Sequence, residues 1–424
     1  ESVQKEANLF HVVDIGSLPV FEAVAGHHMV HFYQTSRAQG DCAIKSLRNS
    51  VADIAKSAST EHLSISTQKS DKLFRWGEIQ LQTSDLILET GTVLEDHFKS
   101  SQGVVQNPDK VNRKTAGLYQ LQEGAGVFVI TSEEFKEITL TPFEMEFVKD
   151  FYDDAAIEKY NLNTSGAKKL LYITKNNCSD AAYIPNLIKH LRPNRAIMDA
   201  RRETKKGTIE WFQMHWPRKP DFFESPKVVI PSMFDQPKAA YVKNSAYFGI
   251  ATNVIIQQSN IIPLRALSAI LNSTLASWWF HLNGKKRGIG LDIGVSKLRK
   301  LPMPSTDGID LSVLVTQDKL LSILSASKNE YNQLAMRHTM ESLLDACVME
   351  CYFRDHMAER DLLFHDTVAE ALKSYNPDAS ETAQLAYLET FHQRLIEAKI
   401  PERIARIPEA SPDLLGVILK VGKV

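Results

Sequence analysis

With 424 residues, 43% of them hydrophobic and 24% charged, the chain is long enough for two or three domains that each bury a core, and nothing marks it as disordered or fibrous. A formal net charge of −2 excludes a uniformly basic nucleic-acid binder, although a local basic face stays open because phosphate attraction depends on where charge sits. Four cysteines in so long a chain fit a reducing compartment, and no apolar run reaches the roughly 18–20 residues of a membrane span.

Residues 11–15 and 29–33 read as two short strands around a loop. Two strands alone are not stable in water, so this piece needs a sheet to join. Residues 35–75, rich in Ser, Lys, Ala and Asp, read as a connector holding a helix or an irregular strand. A short helix is expected at 94–98, a turn at 102–105, a polar break at Asn107-Pro108-Asp109 and a buried strand at 126–130. Thr131 or Ser132 should then cap a helix whose first turn carries Glu133 and Glu134. Strands follow at 170–173, 227–230 and 253–256, and Pro185 opens a helix over 184–191. From 261 an apolar helix carrying Leu271-Asn272-Ser273 runs into a basic, glycine-broken loop at 283–290, and the segment closes on Leu301-Pro302-Met303-Pro304. Beyond it, three- and four-residue apolar spacing predicts helices at 311–334 and 340–353. A further helix is expected at 380–400, capped by Ser380 and ended by Pro401. The expected class is α+β: a mixed short-strand and helix domain over 76–305, then a mostly helical region over 306–424.

The strongest signal for a partner is charge density. Residues 189–219 hold nine Lys/Arg against three Asp/Glu, and residues 285–300 hold six against Asp292 alone. Such clusters neutralise phosphates, and guanidinium forks also read guanine edges. The candidate DNA-binding residues are Arg192, Arg195, Arg201, Arg202, Lys205, Lys206 and Arg218 in the first segment. Lys285, Lys286, Arg287 and Lys297 are those of the second. The plainer reading is a pair of solvated helix faces. Among the aromatics interleaved with the first cluster, Trp211 and Trp216 are expected in the core. Gly284, Gly288 and Gly290 permit close backbone approach to a phosphate.

Patterns that would carry chemistry are weak. Gly288-Ile289-Gly290 follows a helix and Gly124-Ala125-Gly126 precedes a strand, so neither has the context of a dinucleotide loop. Pro108-Asp109 with Glu134-Phe135-Lys136 satisfies a loose metal-dependent nuclease pattern, but Glu134 and Lys136 fall in the first turn of a helix rather than on a strand. His27, His28 and His31 lack a carboxylate or thiol at ligand spacing, and Cys347 and Cys351 read as two thiols on one helix face. No catalytic, metal or cofactor-binding residue is therefore expected.

One resemblance runs through these segments. Arg201-Arg202-Glu203 through Trp211 to His215-Trp216-Pro217-Arg218, then Phe223 to Val229, then Leu267 to Ser273, then Leu301-Pro302-Met303-Pro304 stand in family order. Leu344-Asp345-Ala346 through Glu350 to Tyr352-Phe353 follows. In this order the chain resembles the C-terminal target-recognition region of adenine-specific DNA methyltransferases of the TaqI/Eco57I type, from restriction-modification and phage-defence systems. The resemblance implies that residues 1–40 are the last strands of a methyltransferase domain, 41–75 a connector and 76–305 the target-recognition domain. It also implies double-stranded DNA as partner, with a methyltransferase domain in the same parent chain or a separate subunit. S-adenosylmethionine would serve that parent; its glycine-rich loop and Asn-Pro-Pro-Tyr segment are absent here, so no cofactor is expected in this chain. The alternative is a protein-interaction or scaffold module whose C-terminal helices dock partner subunits. We expect a cytoplasmic protein without a membrane partner. The start at Glu1, without methionine or a signal-peptide pattern, is expected for a piece of something longer.

Overall fold

A computed structural model describes residues 8–16, 28–34, 41–47, 60–64, 91–287, 290–306, 308–327 and 334–421. The N-terminal strands do find a sheet. Asn8–Gly16 (β1) pairs antiparallel with His28–Gln34 (β2) and parallel with Asp41–Ser46 (β3), which pairs with Thr60–Ser64 (β4). Two strands thus lie within the stretch read as a connector. One face of this sheet buries Val13, Ile15 and Leu47, whereas edge strand β2 leaves Met29, Val30, Phe32 and Tyr33 exposed.

From residue 91 the chain mixes short strands and short helices, as the α+β expectation has it. Thr92–Val93 (β5) leads into helix Leu94–His97 (α1) and strand Phe98–Gln102 (β6). Helix Arg113–Tyr119 (α2) precedes Val129–Ile130 (β7), which is shorter than the strand expected at 126–130. The helix Ser132–Lys136 (α3) is capped as predicted, Thr131 accepting from Glu134 N. Pro142–Met145 (α4), Val148–Tyr152 (β8), Ile157–Glu158 (β9), Asn161–Leu162 (β10) and Lys168–Leu171 (β11) follow.

The basic segment is built from short turns: Pro185–Leu191 (α5), Arg195–Asp199 (α6) and Arg202–Lys205 (α7). Buried Glu144 fixes its start. That carboxylate accepts from Thr141 N in its own capping box and, across 42 residues, from the Asn186 amide at 2.7 Å and Leu187 N at 3.2 Å. One side chain thus satisfies orphan donors at the N-termini of α4 and α5.

After Asp221–Glu224 (α8) come Lys227–Pro231 (β12), Met233–Phe234 (β13), Ala240–Val242 (β14), Tyr247–Phe248 (β15) and Thr252–Gln257 (β16). β12 and β16 are the apolar centre of a sheet ordered β14-β12-β16-β6, and a second sheet is ordered β15-β8-β11-β7. Phe128, Leu170, Ile188, Val229 and Val254 meet in one apolar cluster beneath them.

The apolar helix expected from 261 is two helices. Leu264–Leu271 (α9) stops and Thr274–Asn283 (α10) restarts, because the Leu-Asn-Ser triplet is a junction. Asn272 exchanges two 2.8 Å hydrogen bonds with the Ala239 backbone, and Ser273 Oγ accepts from Ala276 N as the cap of α10. The carboxylate of Asp345 accepts from Thr274 N at 2.7 Å, pinning the same junction to the long helix Leu334–Ala358 (numbered below). Lys285–Arg287 (β17), Gly290–Asp292 (β18), helix Val295–Leu298 (α11) and Pro302–Met303 (β19) close the segment.

The remainder is helical: Ser312–Ala326 (α12), Leu334–Ala358 (α13), His365–Leu372 (α14), Glu381–Glu397 (α15), Ile400–Ala405 (α16), Ile407–Ala410 (α17) and Leu415–Val421 (α18). Ser380 caps α15 as expected, but Pro401 opens α16 in place of ending a run; Lys399 in the left-handed region makes the break. α9 and α10 share one apolar cluster with α12, α13 and α15, and this cluster runs across residue 305. Glu350, almost fully buried, accepts from the Phe364 and His365 amides, and Tyr352 donates to Pro302 O at 2.8 Å. Among the described residues no helix is long and apolar enough to cross a membrane.

Candidate nucleic-acid interface

The two basic segments, which end at 219 and begin at 285, are joined in space by a backbone spine at residues 103–107. Val105 pairs with Trp216 in an antiparallel bridge and Val104 with Gly249 in a parallel one. Gly103 makes that approach possible: a Cβ there would lie 2.2 Å from Gly249 O and 2.3 Å from Phe248 O. Beyond the turn, Ser232 N donates to Ala251 O at 2.7 Å, and Ile293 N donates to Ser232 O at 2.8 Å. Met233 then pairs with Asp292, which pairs with Lys285. A continuous path of backbone hydrogen bonds therefore leads from Trp216 to the second basic segment.

At the first end, Arg192, Arg195, Arg202, Lys205 and Lys206 are exposed. Arg195 lies over the Trp211 ring at 5.0 Å and pairs with Asp199 at 3.2 Å, a surface contact of small energy. Arg218, half-buried with a positive φ, directs Nε to Gly103 O at 3.4 Å and lies 6.0 Å from the Trp216 ring.

Arg201 departs from the expected set. Its guanidinium is turned inward and donates to Met198 O at 3.1 Å, Gln213 O at 2.9 Å, Asn107 O at 3.3 Å and Trp211 O at 2.8 Å. Burial pulls its pKa down to about 10 against the opposing carboxylates of Glu203 and Asp199, so it remains a cation at neutral pH. This donor capacity is spent on backbone carbonyls inside the fold. Glu203, the third residue of the same triplet, sits 3.0 Å from His215 Nδ1. Burial lowers the pKa of that histidine, with Glu203 opposing and the Arg201 cation assisting.

At the other end, Lys285, Lys286 and Arg287 are not a loop but the exposed edge strand β17 of a sheet ordered β13-β18-β17. Directly paired residues share a face. Met233, Asp292 and Lys285 therefore lie on one side, and Phe234, Leu291 and Lys286 on the other. Phe234 and Leu291 are buried, so the Met233 side is the outer one. Arg287 joins that side, its Nε 2.9 Å from the Asp292 carboxylate. Gly284 has an ordinary negative φ; its role is spatial, since a Cβ would fall 2.5 Å from Ile293 Cδ1 and 2.7 Å from Phe280 O. Gly288 and Ile289 lie outside the described residues. Lys297 is half-buried on α11, while Arg299 anchors that helix to β6 through Ser100 Oγ at 3.0 Å and Ser100 O at 2.8 Å.

Trp216 was expected in the core; its side chain is 52% exposed, and Met233 at 51% and Ile250 at 48% are exposed on other parts of the same backbone path. The bridge to Val105 holds the Trp216 backbone while its ring faces outward. No periodicity could have exposed these three, because each stands in a segment too short to show one.

The nuclease pattern has a structural explanation. Glu134 commits one oxygen to Gly126 N at 2.7 Å and the other to Thr131 N at 2.7 Å, and these backbone donors lower its pKa against the raising effect of burial. Asp109 accepts from its neighbour Lys110 N. Among the described residues no group of His, Cys, Asp or Glu could hold a metal ion, and His28 and His31 lie on β2. His27 lies outside the described residues. Cys347 and Cys351 are buried free thiols of α13, raised in pKa by desolvation. Lys227, buried on β12, donates to Asn244 O at 2.8 Å, and burial pulls its pKa to about 8 with Glu224 opposing.

Residues 150–303 match the profile of the TaqI-like C-terminal specificity domain. No curated protein matches the chain in sequence. Among solved structures, the type IIL restriction-modification enzyme MmeI, determined in complex with DNA, aligns at TM-score 0.50 and 12% identity, covering 93% of this chain and 47% of that one. The type IIG restriction endonuclease BpuSI aligns at TM-score 0.37 and 11% identity, covering 93% of this chain and 44% of that one. The chain thus spans about half the length of these enzymes. Residues 150–303, which hold most of the path from the first basic segment to the second, are thus similar to the TaqI-like C-terminal specificity domains.

Proposed function

We propose that this chain is the recognition part of a larger restriction-modification enzyme and binds double-stranded DNA in a sequence-specific way. The observation that carries the reading is the hydrogen-bonded backbone path through residues 103–107 and 248–252, which ties the segment bearing exposed Arg202, Lys205 and Lys206 and half-buried Arg218 to the edge strand bearing exposed Lys285 and Arg287. In a chain of net charge −2, nine Lys/Arg against three Asp/Glu over 189–219 and six against one over 285–300 concentrate positive charge as phosphate binding requires. The shared fold with MmeI, solved with DNA bound, supports it.

The parent enzyme, on this reading, methylates adenine N6 with S-adenosylmethionine, and no residue of this chain is assigned to that cofactor or to the methyl transfer. The exposed apolar strand β2 packs against the rest of the methyltransferase domain, of which β1 to β4 are a part. Four buried free thiols fit a reducing compartment such as the cytoplasm.

The test is a titration of the purified 424-residue chain with randomised and fixed 30-base-pair duplexes at two salt concentrations. Salt-dependent binding with selection of a preferred sequence is expected. Absence of binding at low salt, from a folded chain, would overturn the reading.

A further inference from the structure

The path between the two cationic ends is not itself charged. Trp216, Ile250 and Met233 stand along it, each about half exposed, the Trp216 ring packing on one side against His215 at 4.4 Å. The path thus presents three large apolar side chains in order, with Arg218 beside the first and Lys285 and Arg287 on the same sheet face as the last, a hydrophobic ridge with positive charge toward both ends. Protein-binding patches are usually rimmed by mixed polar groups, whereas cations at both ends of an apolar line complement a duplex. Its two phosphate backbones carry the negative charge, and its groove floor offers apolar surface, above all the thymine methyl group.

Backbone geometry strengthens the assignment. Trp216 is hydrogen-bonded to Val105 through both its N–H, at 3.0 Å, and its C=O, at 2.9 Å. Met233 sits in ladder register with Asp292, and Ile250 is in the turn whose neighbours Gly249 and Ala251 are both backbone-bonded. The ridge is therefore presented on rigid backbone, so little ordering entropy is lost when it meets a surface.

Resting on the DNA reading above, we infer that Trp216, Ile250 and Met233 contact base edges in the groove and help determine sequence preference, while the flanking Lys and Arg residues hold phosphates. Phosphate contacts act on every sequence alike; base contacts act on the preferred one.

The experiment compares the full chain with Trp216→Ala and with the double variant Met233→Ser/Ile250→Ser. Each is titrated by fluorescence anisotropy with the duplex selected by the wild type and with a scrambled duplex of equal length. Because all three side chains are half exposed, the variants should fold, and their circular dichroism melts should match the wild type. The expected result is a loss of roughly tenfold or more in affinity for the selected duplex, little change for the scrambled one, and an unchanged salt slope. Equal losses on both duplexes, or no loss on either, would overturn the ridge as a base reader; no loss on either is also what a protein-docking ridge would give. A wild-type chain that binds no duplex would remove the DNA reading itself, and the ridge proposal with it.

Discussion

Replacing Arg201 by alanine should unfold part of the recognition surface without removing a DNA contact. The guanidinium is 7% exposed and donates to the carbonyls of Met198, Gln213, Asn107 and Trp211 within 3.3 Å. Hydrogen bonds from a charged donor are each worth about 1.5–3 kcal/mol, but four on one group are not additive. Removing a buried charged partner costs about 3–5 kcal/mol in comparable settings, a large share of a stability of about 5–15 kcal/mol. Arg201→Lys, a cation without the planar fork, should recover only part of this. The assay is urea unfolding followed by tryptophan fluorescence, since Trp211 and Trp216 flank the site, with duplex affinity measured on the same preparations. The expected outcome is a lowered unfolding midpoint for Arg201→Ala, intermediate for Arg201→Lys. A variant that unfolds like the wild type yet loses affinity for all duplexes would refute the reasoning and return Arg201 to the DNA-binding set.

Other consequences follow from buried groups and close approaches. The Glu144 carboxylate, despite the raising effect of burial, is held at a pKa of about 2 by the donors of Thr141, Asn186 and Leu187. Its folded pKa lies below the ordinary value of 4.5, so its stabilisation, on the order of 3 kcal/mol, is present above that value and lost as pH falls toward 2. Glu144→Gln should lower the urea midpoint at pH 7 and differ little from wild type near pH 2.5. Asp318, fully buried, has its pKa raised to about 6 by desolvation while Arg265, 2.8 Å away, opposes the rise. A raised carboxyl stabilises the fold fully below its ordinary pKa and loses that contribution as pH rises through 6; Asp318→Asn should therefore flatten the dependence of the urea midpoint on pH between 4 and 7. Gly103→Ala should cost about 1–3 kcal/mol in the same assay, because its Cβ would meet two backbone oxygens. Gly117→Ala, on α2 with open space around it, should cost nothing or stabilise by up to about 1 kcal/mol.

The scaffold was far more legible in the sequence than the surface was. Capping residues Thr131 and Ser380, the proline start of α5 and the apolar strands β12 and β16 follow from local chemistry and are where it placed them. The residues that carry the family resemblance are legible for a related reason: Asn272, Ser273, Asp345, Glu350 and Tyr352 tie helix ends and strands together, so their identity is fixed by hydrogen bonding. Arg201 belongs with them, which is why charge counting misread it as a phosphate contact. Local patterns could not show that the Leu-Asn-Ser triplet is a helix junction, since its partner Ala239 lies 33 residues away. Nor could they show that Lys285–Arg287 is an edge strand, because three consecutive cations carry no apolar alternation to mark one. Trp216 was misplaced because burial depends on which face of the Val105 bridge it takes, a fact set by tertiary contact alone.

The central claim is that both basic segments engage one duplex. It is tested most directly by the slope of log affinity against log salt for the wild type and two triple variants. One is Arg202→Gln/Lys205→Gln/Lys206→Gln and the other Lys285→Gln/Lys286→Gln/Arg287→Gln. Each neutralised phosphate contact should reduce the slope by about 0.9, so the first variant should lose about 2–3 from it and the second, with Lys286 on the inner face, about 2 on the same duplex. A slope unchanged in either variant would show that its segment does not touch the DNA and would contradict the account.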